Sequence, residues 1–214
     1  MNLNISGLTE VLGSVIYVLL ALIALWGLFS VVMAWRRVAQ VRFRNESAQD
    51  DFLDQVEQSV AAADFESASQ LCEDDSRAMP QLVQLAVENR NLGATKLRHL
   101  VADRFQRDVM ADLEHRLSWV QTVIKSAPMI GLFGTVIGMM GAFASLGMAE
   151  GGKVDATSLS EDISLALITT ACGLAIAIPL VLAVASINVR IRRMEDLVGA
   201  GLTRFFDILR GVLG

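Results

Sequence analysis

Charge is what this sequence most lacks, and the shortage is local. Of 214 residues 53% are hydrophobic and 19% charged, against about 45–50% and about 25% in an ordinary soluble domain. Asp, Glu, Lys, Arg and His are absent from three windows, 11–35, 126–149 and 163–189. Each exceeds the roughly 20 residues that carry a helix across a bilayer. Three such windows exclude a soluble globular enzyme. A β-barrel is excluded too, because its strands would alternate apolar and polar side chains over about ten residues. Cysteine is scarce: Cys72 lies in a polar segment and Cys172 in an apolar window, with no CxxC or Cys/His spacing. That leaves neither a disulfide framework nor a metal site. His99 and His115 stand alone in a charged helical stretch, which reads as a solvated helix face. The net charge of −5 speaks against nucleic acid as a partner, and no nucleophile–base pair or phosphate loop marks an enzyme.

What is present is an all-α integral membrane protein with three transmembrane helices. Arg36, Arg37, Arg42 and Arg44 follow the first window, Lys125 precedes the second, and Arg190, Arg192 and Arg193 follow the third. Basic residues stay on the cytoplasmic side. The expected order is a periplasmic N-terminal tail (1–10), a first span (11–35), a cytoplasmic helical domain (36–125), a second span (126–149), a periplasmic loop (150–162), a third span (163–189) and a cytoplasmic C-terminal helix (190–214). The first basic residue, Arg36, follows the first apolar stretch instead of preceding it, so that stretch reads as an anchor and not a cleaved signal. Trp35 stands where an interfacial aromatic belongs.

In the middle domain one helix is expected over 47–62 and a second from Asp64, whose carboxylate can cap it. A third carries Pro80 in its first turn and ends at Gly93. From Thr95 apolar residues recur at helical spacing (Leu97, Val101, Phe105, Val109, Leu113, Leu117). They predict one helix of about 50 residues, roughly 75 Å long, running on as the second span; the other reading breaks it at Pro128. After the third span an amphipathic helix is expected, interrupted at Gly199 and Gly201, that either packs on the cytoplasmic domain or lies on the membrane surface.

The second and third spans differ from the first. Gly131, Gly134, Gly138 and Gly141 fall on one helical face, and Ala166, Thr170, Gly173 and Ala177 form a small stripe in the third span. Small residues let helix backbones approach closely in lipid. Pro128 and Pro179 are the expected kinks. Thr135, Ser164, Thr169 and Thr170 are candidate hydroxyls along a path, although a membrane threonine commonly bonds only its own helix. Proton and ion pathways usually hold an ionisable side chain within the membrane, and these spans have none. A carboxylate that titrates there has to come from another polypeptide.

The run Ala127-Pro128-Met129-Ile130-Gly131-Leu132-Phe133-Gly134-Thr135-Val136-Ile137-Gly138-Met139, with Thr169-Thr170-Ala171-Cys172-Gly173-Leu174 and Ala177-Ile178-Pro179 downstream, resembles the core helices of the MotA/TolQ/ExbB proton channel family, closest to ExbB and TolQ. The resemblance implies a homopentamer in the bacterial inner membrane whose second and third spans line a pore. That pore would hold an ExbD/TolR-like single-span dimer bearing a transmembrane aspartate, with threonines matching Thr135 and Thr170 beside it. It also implies a TonB/TolA-like energy transducer as a further partner, and protons as the transported ion with no cofactor. One departure stands out: the family's glutamate early in the third span is here Leu165. The competing readings are an oligomeric membrane scaffold without ion flux and the stator of another motility system.

Overall fold

The computed structural model describes residues 5–147 and 156–213. Among the described residues seven α-helices follow in order: α1 (Ile5–Val41), α2 (Glu46–Ala61), α3 (Phe65–Gln70), α4 (Ala78–Glu88), α5 (Ala94–Arg104), α6 (Ala111–Gly147) and α7 (Ala156–Leu213). A short 3-10 turn, Arg90–Leu92, precedes α5, and a π-helical turn, Phe105–Met110, joins α5 to α6. No strand occurs among the described residues. Among the described residues three helical stretches are long and apolar enough to cross a membrane.

The chain divides into two units, one made of Met1–Val32 with Leu117–Ala185 and the other of Met33–Arg116 with Ser186–Gly214. The first consists of the apolar parts of α1, α6 and α7. Its interior holds Ile16, Leu20 and Ile137, with Leu12, Ile130, Cys172 and Ile176 packed around them. Gly27 of α1 admits the side chains of Leu180 and Val123. Large apolar side chains such as Leu25, Phe133, Phe143 and Leu182 lie on the outside, more than half exposed, as helices immersed in lipid require.

The second unit buries the inner faces of the short helices around Val56, Val60, Met79, Val83, Leu97 and Val101, together with Ile187 and Phe205 of α7. Asp64 caps α3 by accepting the Ser67 N–H at 3.1 Å and the Ser67 hydroxyl at 2.6 Å. Pro80 occupies the first turn of α4, where a missing N–H costs little. Cys72 is buried and its thiol donates to the Ala68 carbonyl. Burial, with Asp75 nearby, pushes that thiol up to about 12, so it is inert at neutral pH.

Two glycines expected to interrupt the last helix do not: α7 runs through Gly199 and Gly201. Each costs about 1 kcal/mol relative to alanine. At Gly201 the missing side chain makes room for Gln49, Leu53 and Met79, and the Gln49 amide donates to the Leu197 carbonyl at 2.7 Å. Arg204 adds ion pairs to Asp54 at 2.5 Å and Glu57 at 2.6 Å. Of the two alternatives for this segment, packing on the short helices is the one observed. Pro128 lies inside continuous α6 and Pro179 inside continuous α7, so α6 is not split at Pro128.

Arg37 of α1 reaches Asp112 at the start of α6 at 2.7 Å, and Arg116 reaches the same carboxylate at 3.0 Å. Partial burial opposes ionisation of Asp112, but the hydrogen bonds and charges of Arg37 and Arg116 outweigh it and hold the carboxyl below its ordinary value of 3.8. Such a group adds stability that is present above that value and lost as pH falls through the lowered one. Asp112→Asn is therefore expected to lower the thermal midpoint at pH 7, with the gap to wild type closing as pH drops below about 4. Thermal unfolding in detergent at stepped pH measures this. A gap that stays constant with pH would assign the loss to packing instead.

Candidate functional site

In the first unit the glycine face of α6 meets α7 at backbone distance. A Cβ placed on Gly131 would stand 2.7 Å from the Thr169 carbonyl oxygen and 3.0 Å from the Thr170 Cα. On Gly138 it would stand 2.6 Å from the Asp162 carbonyl oxygen, and on Gly173 2.6 Å from that of Ala127. At Gly134 it would collide with the Thr169 side chain. Ala166 and Ala177 are buried along the same side of α7. These separations are below ordinary van der Waals contact, so only glycine permits them.

The four candidate hydroxyls are not equivalent. Thr169 is wholly buried against Gly134, and its hydroxyl is within 3.0 Å of the Leu165 and Ala166 carbonyls of its own helix. Within the protomer it is therefore a packing residue between α7 and α6. Thr170 is half-buried and donates across to the Gly131 carbonyl on α6 at 3.0 Å. In an α-helix that carbonyl also receives the N–H of Thr135, so Thr170 reaches α6 at the turn that carries Thr135. The Thr135 hydroxyl donates to the Leu132 carbonyl at 2.7 Å. Ser164 lies exposed on α7.

A hydroxyl has one proton and two acceptor lone pairs. With both protons directed at carbonyls, the hydroxyls of Thr135 and Thr170 keep only acceptor lone pairs for any further partner, which suits a group that donates. A carboxylate would need one of them to turn away from its carbonyl.

Sequence reading missed Asp162, assigning it to a periplasmic loop. The first part of that stretch, 150–155, lies outside the described residues, but from Ala156 onward it is helix, and Asp162 belongs to α7. Its carboxylate lies over Gly141, about 3 Å from where a Cβ would be, and accepts a 3.4 Å bond from Ser145. The signal was available in its spacing: Asp162, Ala166, Thr169 and Gly173 share one helical face. Leu165, at the position of the expected glutamate, instead packs its side chain on Gly13 of α1. Among the described residues no group of His, Cys, Asp and Glu is arranged to hold a metal.

The model of the MotA/TolQ/ExbB proton channel family matches residues 53–199, which include all of α6 and α7 as far as Gly199. This chain belongs to that family. Among its relatives, the ExbB-like 2 biopolymer transport protein of Helicobacter pylori is 37% identical over 117 residues, 55% of this chain and 73% of that protein. TolQ of the Tol-Pal system in Haemophilus influenzae is 39% identical over 97 residues, 45% of this chain and 42% of TolQ. The biopolymer transport protein ExbB of Neisseria gonorrhoeae is 38% identical over 86 residues, 38% of each chain. Membership in the MotA/TolQ/ExbB family makes the chain a multi-pass membrane protein and, in general terms, a proton-channel subunit that transduces energy. The matched residues begin at Leu53, so the first apolar window lies outside them, while the glycine face of α6 and the facing part of α7 lie within.

Proposed function

We propose that this protein is the ExbB/TolQ-like subunit of an inner-membrane motor. Five copies enclose a lumen lined by α6 and α7, and an ExbD/TolR-like dimer stands inside it with an aspartate on each single span. The N-terminus is periplasmic and the C-terminus cytoplasmic. The observation that carries the reading is that α6 and α7 seal against each other within one protomer and place Thr135 and Thr170 at one level, with no carboxylate inside the charge-free windows. This is half of a titrating site.

Protonated, the partner's aspartic acid donates to the lone pairs of Thr135 and Thr170. Ionised, it loses that fit and is held at a cost of about 2.5–3.5 kcal/mol at mid-membrane on insertion scales, which favours a move to the next protomer. A proton crossing 100 mV supplies about 2.3 kcal/mol, a sufficient bias for such a step. Asp162, on the α7 face that packs against α6, lies over Gly141 and closes the end of that seam with the bond it accepts from Ser145. The work is passed to a TonB/TolA-like transducer that energises outer-membrane transport or envelope processes.

The test is purification of the chain with its genomic neighbours, subunit counting by native mass spectrometry, and proton flux in liposomes. Five copies with two of a single-span, aspartate-bearing partner, and flux only when both are present, is the expected result. A different copy number, or liposomes that stay proton-tight with that partner, would favour the scaffold reading.

A further inference from the structure

Where α1 ends and α2 begins, the second unit contains a cavity of about 350 Å³ lined by Arg42, Arg44 and Arg193, with Met194 and Val198 on its apolar side. Pockets that take small ligands begin at about 300 Å³. Among the described residues none of the three arginines enters an ion pair. One carboxylate, Glu46, also borders the space, leaving the lining at a formal +2 from three cations and one anion. Asn45 occupies the N-cap position of α2 in extended conformation without bonding the first turn through its side chain. The N-terminal N–H groups of that helix thus add a partial positive charge beside the guanidinium groups. The floor is firm, because Gln49 and Met79 are buried and Gln49 is tied to the Leu197 carbonyl.

The position of the cavity identifies its ligand. Trp35 ends the first charge-free window and Val189 the third, and Arg190 stacks over the Trp35 ring at 4.0 Å, a pairing typical of a bilayer interface. At 1.5 Å per residue, Arg193 lies about 6 Å beyond Val189, at headgroup depth, and Arg42 about 10 Å beyond Trp35, just past that layer and near enough for its long side chain to reach back into it. The headgroup layer is about 5–8 Å deep on each side of the hydrocarbon. Arginines are suited to bidentate capture of phosphate oxygens, and the apolar flank of Met194 and Val198 suits a glycerol backbone and the start of an acyl chain. The geometry points to a site for the phosphate of an anionic phospholipid, held by Arg42, Arg44 and Arg193 at the end of the chain's membrane spans. It stands whether or not the chain conducts protons.

The full-length protein is reconstituted in nanodiscs of phosphatidylcholine with increasing phosphatidylglycerol, then released and weighed by native mass spectrometry; inorganic phosphate is titrated separately. Wild type is expected to retain phosphatidylglycerol over phosphatidylcholine. The Arg42→Gln/Arg44→Gln/Arg193→Gln variant should lose that preference by at least about tenfold, because each substitution removes guanidinium donors that the phosphate accepts from inside the cavity. The Arg36→Gln/Arg192→Gln variant, which removes exposed arginines that do not line the cavity, should retain lipid as wild type does. Circular dichroism of each variant verifies helicity, and if the triple variant misfolds, the single Arg193→Gln variant is read in its place. Equal retention by wild type and a folded cavity variant would overturn the site. So would equal losses in the two multiple variants, which would reduce the effect to net charge. Tight inorganic phosphate binding without lipid preference would replace the lipid by a free anion.

Discussion

Gly131→Ala is expected to destabilise the protein by about 1–3 kcal/mol, the usual cost of forcing an extra methyl group into a closed contact. Its Cβ would stand 2.7 Å from a carbonyl oxygen of α7, and backbone cannot rotate aside as a side chain can. Gly173→Ala belongs to the same class, because its Cβ would meet the Ala127 carbonyl at 2.6 Å. At Gly141 the obstacle is the Asp162 side chain, which can swing, so alanine there should cost less. Gly199 has open space around it, and alanine should stabilise by about 0.5–1 kcal/mol through helix propensity alone. The measurement is the thermal midpoint of the four variants in one detergent. The expected order runs from Gly131→Ala and Gly173→Ala, least stable, through Gly141→Ala to Gly199→Ala. If Gly131→Ala were as stable as Gly199→Ala, α6 and α7 would not meet along this face.

The second large effect is functional. Thr170→Val keeps the shape of the side chain and removes its hydroxyl. The Gly131 carbonyl loses a second donor but keeps its helical one, and interhelical hydrogen bonds in membranes average only about 0.6 kcal/mol. The protein should therefore assemble normally. A partner carboxylic acid left without its acceptor would cost about 1–3 kcal/mol, so partner-dependent proton flux in proteoliposomes should fall by about tenfold or more. Thr135→Val is expected to behave alike, and Thr170→Ser to restore flux by returning the hydroxyl. Thr169→Val supplies the contrast: its hydroxyl faces only its own carbonyls, so it should shift stability and spare flux. Full activity in both Thr135→Val and Thr170→Val would remove these residues from the path.

The features legible in the sequence are those carried by local chemistry. Asp64 three residues before Ser67 is a cap, and Pro80 fits a first turn, because one side chain and its nearest backbone decide each case. The π-helical turn also has a trace. Leu97, Val101, Phe105, Val109, Leu113 and Leu117 repeat every four residues and are all buried. Each step of four overshoots a helical turn by about 40°, so a regular α-helix would carry the stripe off its face. The wide turn at Phe105–Met110 takes up part of that drift.

Other features depended on distant partners. Leu165 is a departure from the family when read in sequence, and a packing residue once Gly13 is seen beside it. Asp162 passes for a loop charge until α7 is found to begin at Ala156 and to lay that carboxylate over Gly141. Arg42, Arg44 and Arg193 are separate basic flanks in the sequence and one cavity wall in the fold.

The sequence by itself determined that this chain enters lipid and does so as helices, because a charge-free window of that length is costly in water and only internal backbone hydrogen bonds are satisfied in hydrocarbon. It also placed every carboxylate outside the three charge-free windows. Only the tertiary structure decided that Thr169 is the wholly buried one of the pair and that Thr170 bonds across to α6. Neighbours on a helix point about 100° apart, and which of them faces inward depends on how α7 is rotated. That rotation is set where the glycines of α6 admit its backbone, a contact between residues far apart in the chain.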